Sequence, residues 1–338
     1  MNDLKLTMGC CACLALLGCE QKPDAQDDAA ETVSLTNLDD FVRTTKANLV
    51  FVEGGEFLMG DFGMDYGPEK LPYDSDPDSS PLHRVELTSY SIEKFKITNQ
   101  AYQLYLKVNG LSLRRDDDNL SQISSFPMNP VHMDWHEAER YCSWLAKVTD
   151  LPFALPTEAQ WEYAARSRGQ FLMVATDDGT YKTTDTRETW DDGPRGINIS
   201  TSQDRAVFAK KQGWNTGILT PLPVDRFPAN PLGLYSMTDN GWEWVNDWYD
   251  PDYYKTSPVK DPLGPKDPIF KDVSTNDKYA KVLRGIDYPN ARWGGGLNIQ
   301  RSYANQDADF YSIVNKRDLI SLAEKTARCV VNSPEAIK

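Results

Sequence analysis

The sequence has no cluster of basic residues and only three histidines. Its 338 residues carry 36 Lys and Arg against 50 Asp and Glu, which gives a formal net charge of −14. Because nucleic-acid binding depends on clustered cations that neutralise phosphates, this composition excludes a nucleic-acid surface. The chain also lacks a P-loop, a dinucleotide-binding glycine pattern and a Ser-His-Asp order of catalytic residues. The usual nucleotide-dependent and serine-hydrolase chemistries are therefore not expected.

The apolar stretch at the amino terminus is too short to span a bilayer, and it is typical of an export signal. It ends in the letters LLGC, which resemble a bacterial lipobox. The resemblance implies that residues 1–18 are a signal peptide and that Cys19 receives lipid. The alternative is ordinary secretion with Cys19 as a free thiol. Glu20 follows the cysteine, which points to the outer membrane, so we expect a lipid-anchored protein of the bacterial envelope facing the periplasm or the cell surface.

The mature chain begins with a stretch that is poor in apolar residues. Residues 19–34 are acidic and small, so they are interpreted as a flexible tether. No later linker or internal repeat divides the chain, which predicts one domain over residues 35–335. A short helix at the start of this domain is predicted from the helical spacing of Leu35, Leu38, Phe41 and Val42.

Two further helices are predicted from capping boxes, in which a side chain at the helix start and one three residues later satisfy each other's backbone N–H groups. Asp134 and Glu137 form one such pair, before an apolar stripe in "MDWHEAERYCSWLAKV". Thr157 and Gln160 form the second, in "LPTEAQWEYAARS". Both motifs are interpreted as architectural.

Six segments resemble, in this order, the motifs of the formylglycine-generating enzyme family, also called sulfatase-modifying factors. They cover roughly residues 49–331. The segments are "FVEGGEFLMGD", "IEKFKITNQAY", "NPVHMDWHEAERYCSWL", "LPTEAQWEYAARS", "NPLGLYSMTDNGWEWVNDWY" and "VLRGIDYPN". The resemblance implies a single α+β domain of the C-type-lectin-like kind, with little regular secondary structure and with bound calcium as a structural cofactor.

The resemblance also implies where calcium binds. One site would take a side chain, two backbone carbonyls and a carboxylate from Ser236, Asp239, Gly241 and Glu243, which are oxygen ligands that suit this cation. The family has Asn or Asp where this chain has Ser236, so a metal-free aromatic turn is the alternative. A second site would begin at Asn198 and Ile199.

The copper chemistry of the family depends on two cysteines near the carboxyl end, because soft thiolates select Cu(I). The family pattern is Arg-Ser-Tyr-Cys with a second cysteine five residues later. In this chain the arginine, serine and tyrosine remain, but Ala304 and Asp309 stand at the two cysteine positions. Copper is therefore not expected, and the chain is not expected to be an enzyme of this type.

The remaining groove residues are the candidates for a functional site. They are Trp242, Asp287, Arg301, Ser302 and Asp309. Paired carboxylates there could act in acid–base chemistry. The alternative is a polar ligand pocket or a solvated face.

His132, Asp134 and His136 form a string that could in principle bind a metal ion. Two histidines four residues apart share a face only within a helix. Because Asp134 is predicted to cap the helix, His132 would precede it and the two rings would diverge. A structural role for both histidines is favoured.

Cys142 and Cys329 are the two cysteines that remain if Cys19 is acylated and the signal peptide is removed. The resemblance implies that they form a disulfide, which is favoured in an oxidising compartment. Two buried free thiols are the alternative.

These features together favour a lipid-anchored envelope protein with a sulfatase-modifying-factor-like domain that lacks formylglycine-generating activity. Its expected role is binding or structural, towards another envelope protein or a small ligand. Two alternatives remain open. One is an enzyme that uses a different metal or acid–base chemistry in the same groove, and the other is a formylglycine-generating oxidase that acts on protein cysteine.

Overall fold

Five of the described α-helices begin at a residue whose side chain caps them. The structure, a computed structural model, describes residues 37–113, 118–182, 198–272, 278–286, 297–306 and 325–337. The α-helices within these ranges are α1 (Leu38–Ala47), α2 (Gly63–Tyr66), α3 (Asn99–Val108), α4 (Asp118–Ser125), α5 (Trp135–Thr149), α6 (Glu158–Ala165) and α7 (Ser202–Gln212). Short 3₁₀ turns lie at Pro77–Ser79, Gly217–Leu219 and Tyr253–Lys255.

Helix α1 confirms the short helix predicted at the start of the domain. The side chain of Asn37 caps it by accepting a hydrogen bond from the backbone N–H of Asp40 at 2.8 Å. Phe41 is buried, so the helix packs on the domain through its apolar side.

Both predicted capping boxes are present. Asp134 Oδ1 accepts the N–H of Glu137 at 2.7 Å, and the N–H of Asp134 donates to Glu137 Oε2 at 3.1 Å. Thr157 Oγ1 accepts the N–H of Gln160 at 3.1 Å, and the N–H of Thr157 donates to Gln160 Oε1 at 3.0 Å. The starts of α5 and α6 are therefore fixed by local sequence.

The strands form three sheets in the described residues. They are β1 (Leu49–Val52), β2 (Gly55–Met59), β3 (His83–Leu87), β4 (Tyr90–Glu93), β5 (Phe153–Ala154), β6 (Trp242–Trp248), β7 (Lys271–Asp272), β8 (Lys278–Arg284), β9 (Arg301–Asn305), β10 (Lys325–Thr326) and β11 (Val330–Val331). The first sheet has the order β1-β4-β11-β5, and β2 pairs with β3 as a separate antiparallel pair. In the third sheet the order is β10-β6-β8-β7, with β9 also paired to β8. This mixture of helices and sheets confirms the α+β fold class.

Strand β8 separates two hydrophobic cores. Successive side chains of a strand point to opposite faces, so Val282 and Leu283 enter different cores. The core on the Val282 side includes Trp161 and Val245. The core on the Leu283 side includes Trp244 and residues of α1, α3 and α5. The third sheet is therefore covered on both faces.

A disulfide joins Cys142 in α5 to Cys329 beside β11, which is the pairing that the resemblance implies. Their Cα atoms are 5.7 Å apart, and the bond closes a sequence separation of 187 residues. It connects the helix to the strand that lies between β4 and β5. In the described part of the chain, no helix is long and apolar enough to cross a membrane.

Candidate functional site

Trp242, Ser302 and Ala304 lie on one face of the third sheet. Leu283 of β8 pairs with Trp244 on one side and with Ser302 on the other, and paired residues of adjacent strands share a face. Trp242 and Ala304 both pack, partly exposed, against the core on the Leu283 side. The structure therefore brings together two of the predicted groove residues, Trp242 and Ser302, with the position at which the family has its first copper cysteine.

Arg301 does not lie with them, and its predicted place in the groove is wrong. Strand alternation turns its side chain to the opposite face from Ser302, where it is only 4% exposed. Its Nε and Nη2 atoms donate to Glu158 at 2.7 and 3.0 Å, and Nη1 donates to the carbonyl of Asp78 at 2.8 Å. Arg301 is an internal ion-pair partner of α6 rather than a ligand-facing group.

The same buried network includes Arg284 on β8. Its two terminal nitrogens donate to Glu158 Oε1 and Glu162 Oε2, each at 2.8 Å. Burial alone would raise the pKa of Glu158, but the guanidinium groups of Arg301 and Arg284 outweigh burial and hold this pKa below its usual value. The network ties β8 and β9 to helix α6 and stays charged at neutral pH.

Lys281 is the residue of β8 that pairs with Ala304. Its Nζ atom lies 4.2 Å from the ring centroid of Trp135 and 3.8 Å from that of Trp248, and it donates to the carbonyl of Asn246 at 2.7 Å. Burial lowers the pKa of this ammonium group to about 8. The neighbour of position 304 is thus an amine held between two indole rings, and no thiolate ligand for copper stands there.

The predicted calcium ligands of the 236–243 turn do not fit a calcium ion. The carbonyl of Gly241 accepts a hydrogen bond from Lys96 Nζ at 2.8 Å, and Glu243 Oε1 accepts one from the same ammonium at 2.7 Å. The Glu243 carboxylate also accepts hydrogen bonds from Arg328 and Trp161. Two of the four expected ligand positions are already bound to a protein cation.

Ser236 and Asp239 are turned to other partners. Ser236 Oγ donates to the carbonyl of Val224 at 3.3 Å, and Asp239 Oδ2 accepts the N–H of Ser200 at 3.1 Å. Both residues line a cavity of about 10 Å³ that Asn198 and Ile199 also line. In the described residues Asp239 Oδ1 has no hydrogen-bond partner. This cavity has room for about one water molecule.

The second expected calcium site begins at Asn198, whose side chain is held by a short loop. Its Oδ1 accepts the N–H of Lys182 at 2.8 Å, and its Nδ2 donates to Asp177 Oδ1 at 2.7 Å and to the carbonyl of Thr180 at 3.0 Å. Ile199 follows as a buried residue. With the side-chain oxygen of Asn198 already used, calcium at this position stays a prediction.

The string of His132 and His136 is divided as the sequence predicts. Asp134 is the cap of α5, so His132 precedes the helix and His136 lies in its first turn. His132 is buried and His136 is partly exposed. Across the described ranges, no group of three or more His, Cys, Asp or Glu side chains is arranged to hold a metal ion.

Three predicted functional residues lie outside the described residues. They are Cys19, Asp287 and Asp309.

The residues that the sequence analysis missed are Lys96, Arg328 and Lys281. Glu93 and Lys94 lie just before Lys96, so the neighbouring letters do not mark this lysine as a buried charge. Its partner Glu243 is 147 residues away, so spacing along the chain could not identify it.

A family model described as sulfatase-modifying factor enzyme 1-like domain matches residues 36–308. The chain belongs to this family. In sequence, this sulfatase-modifying-factor domain is 29% identical over 293 residues to the formylglycine-generating enzyme of Streptomyces coelicolor, covering 73% of the chain and 80% of that enzyme.

Two other relatives differ from that enzyme in name. A mouse protein named inactive C-alpha-formylglycine-generating enzyme 2 is 25% identical over 247 residues, covering 60% of the chain and 70% of that protein. A serine/threonine-protein kinase named pkn1, from Chlamydia caviae, is 29% identical over 241 residues, covering 66% of the chain. The match spans only 32% of the kinase.

Solved structures agree on the fold of the sulfatase-modifying-factor domain. PvdO from Pseudomonas aeruginosa superposes with a TM-score of 0.53 at 20% identity, covering 84% of this chain and 93% of that one. Treponema denticola variable protein 1 gives a TM-score of 0.51 at 16% identity, covering 84% and 95%. The chain therefore has the α+β fold of the formylglycine-generating enzyme family.

Proposed function

We propose that the chain is a lipid-anchored protein of the bacterial envelope whose sulfatase-modifying-factor domain binds a partner rather than generating formylglycine. The proposal rests on the two side chains that lie at position 304 and beside it. Ala304 stands where the family has a copper cysteine, and the side chain paired with it is Lys281. Neither residue offers Cu(I) the soft ligand it selects.

The cysteines elsewhere in the chain cannot take over this role. Four of the six lie within the first 19 residues, outside the domain. The other two, Cys142 and Cys329, are joined to each other as a disulfide. A disulfide offers no thiolate, so the domain lacks the pair of thiolates on which the family's copper chemistry depends.

A family member named as inactive supports a role without oxidation. The mouse relative carries that name and shares this domain over 60% of the chain. In the present chain we assign binding to the partly exposed face that holds Trp242 and Ser302. An indole beside a hydroxyl supplies apolar contact area together with a hydrogen-bonding group, which suits another envelope protein or a small polar ligand.

The first test is an oxidase assay. The full chain, supplied with Cu(I) and oxygen, is incubated with a cysteine peptide, and formation of the formylglycine aldehyde is followed by mass spectrometry. We expect no aldehyde. The matched variant carries Ala304→Cys and Asp309→Cys together and is expected to bind Cu(I) where the unmodified chain does not. Aldehyde formed catalytically by the unmodified chain would overturn the proposal.

The binding role and the anchor need separate tests. Crosslinking in intact envelopes, followed by mass spectrometry, should give a defined partner that Trp242→Ala loses and that Glu335→Ala, at an exposed position, keeps. Equal crosslinking by both variants would remove Trp242 from the binding face. The mass of the mature amino terminus should show acylated Cys19, and Cys19→Ala should release the protein into the soluble fraction.

A further inference from the structure

The clearest departure from the family expectation is a buried lysine at the place where a calcium ion was expected. The side chain of Lys96 is 0% exposed, and so is that of Glu243. Its Nζ atom donates to the carbonyl of Gly241 at 2.8 Å and to Glu243 Oε1 at 2.7 Å. These are the backbone oxygen and the carboxylate that the family resemblance assigns to a metal ion. An ammonium therefore lies where two of the expected ligands converge.

The carboxylate of Glu243 has no remaining capacity for a metal ion. Its Oε1 accepts from Lys96 Nζ and from Arg328 Nη2, each at 2.7 Å. Its Oε2 accepts from Arg328 Nε at 2.8 Å and from Trp161 Nε1 at 2.9 Å. An ionised carboxylate offers about four acceptor positions, so these four hydrogen bonds use all of them.

The charge around the turn also opposes a divalent ion. Lys96 and Arg328 bring two positive charges to the carboxylate of Glu243, and all three side chains are fully buried. Asp239, also buried, adds a second negative charge close enough to act on Lys96. A calcium ion at the same oxygens would lie beside two cations with no water to screen them. The expected metal and the observed cations exclude each other.

Lys96 and Arg328 also tie distant segments to the turn, whereas a metal ion at the four expected ligands would hold only the turn itself. Lys96 belongs to the segment that leads into α3, and the neighbouring carbonyl of Lys94 accepts the N–H of Tyr235 at 3.0 Å and Arg328 Nη1 at 3.2 Å. Arg328 Nη2 donates in addition to the carbonyl of Tyr235 at 2.8 Å. Three distant segments thus meet at one buried charge cluster.

We infer that the ammonium group of Lys96 is the resident cation of the 236–243 turn and that this turn is held without a metal ion. The inference concerns the stability of the domain and is independent of the proposed binding function.

The test compares thermal unfolding of three forms of the full chain, each measured in a chelator and in millimolar Ca²⁺. The forms are the unmodified chain, Lys96→Ala and Lys281→Ala. The last removes a buried lysine whose contacts, within the described residues, are with two indole rings and a backbone carbonyl. We expect the unmodified chain to unfold at the same temperature in both solutions. Lys96→Ala should unfold at a lower temperature in chelator and recover part of that loss in Ca²⁺, because an ion that binds only the folded state raises the midpoint. Lys281→Ala should be destabilised without a response to Ca²⁺.

Elemental analysis supplies a second readout that does not depend on unfolding. Lys96→Ala should retain about one more calcium per chain than the unmodified protein. A Ca²⁺ response of the unmodified chain as large as that of Lys96→Ala would overturn the inference. So would a Lys96→Ala variant that folds and ignores Ca²⁺.

A different variant keeps the inference testable if Lys96→Ala does not fold. Ser236→Asp restores the kind of ligand that the family has at this position, in a residue whose φ of 51° an aspartate tolerates. With Lys96 in place, this variant should still show no midpoint change between chelator and Ca²⁺. A rise in Ca²⁺ would show that the lysine does not exclude the metal.

Discussion

Asp247 of β6 is a buried carboxyl group whose protonation should control part of the stability of the domain. Its side chain is only 3% exposed, and Oδ2 accepts the N–H of Glu158 at 2.9 Å. Burial, followed by the negative charge of Glu158, raises the pKa of Asp247 from 3.8 to about 7. The folded protein therefore holds this proton over a pH range in which the unfolded chain has lost it.

The sign and size of this pH dependence follow from the difference in bound protons between the folded and the unfolded state. Where the folded state binds more protons than the unfolded state, the free energy of unfolding falls as pH rises, by about 1.4 kcal/mol per pH unit for one group. The stability contributed by the neutral carboxyl group is fully present below pH 3.8 and is lost as pH rises through the folded pKa near 7. The loss over this window amounts to about 4 kcal/mol. Asp247→Asn keeps an oxygen that can accept the N–H of Glu158 and cannot ionise, so it should remove most of this slope.

The assay is guanidinium unfolding at pH 5, 6, 7 and 8 for three forms of the chain. These are the unmodified protein, Asp247→Asn and Asp65→Asn, the last at an exposed carboxylate. Between pH 5 and 7, the free energy of unfolding should fall more steeply with pH in the unmodified protein than in Asp247→Asn. The expected difference in slope is about 1 kcal/mol per pH unit. Asp65→Asn should follow the unmodified protein. Parallel curves for all three forms would refute the argument.

Three other variants test the structure. Replacing Cys142 and Cys329 by Ala opens a cross-link over 187 residues and should cost up to about 5 kcal/mol in the chain-entropy model, read from the guanidinium midpoint; an unchanged midpoint would contradict the bond. Arg301→Met leaves Glu158 with one fewer buried cation and should destabilise the fold by about 3 to 5 kcal/mol. A loss below about 1 kcal/mol would instead indicate a surface role for this arginine. Asp134→Ala removes the cap of α5 and should cost about 1 kcal/mol in thermal unfolding, and no loss would mean that water caps the helix equally well.

The parts of the fold that the sequence predicts are those decided within a few residues. Both capping boxes join side chains three positions apart, so Asp134 and Thr157 could be assigned as helix starts from the letters alone. The disulfide and the fold class were implied by ordered motifs rather than by any physical periodicity.

The candidate site was predicted less well because its partners are distant in sequence. Whether Arg301 faces the groove depends on the register of β9 against β8, and a shift of one residue would have reversed its side. Glu243 has the spacing of a calcium ligand, but its partners Lys96 and Arg328 are 147 and 85 residues away. The resemblance assigned Glu243 to a calcium ion, and spacing along the chain could not identify the two protein cations that bind it instead.

Strand β11 has a consequence for which shortened forms of the protein can close their fold. The strand begins at Val330, which pairs with both β4 and β5. The two residues before it contribute the ion pair of Arg328 and the disulfide of Cys329. Without residues 328–331, β4 would keep one edge unpaired and β5 would lose the strand partner that it has in the described residues. A chain cut short before Arg328 loses all three contacts at once. Copies shortened at this end should therefore leave the domain open and accessible to proteases.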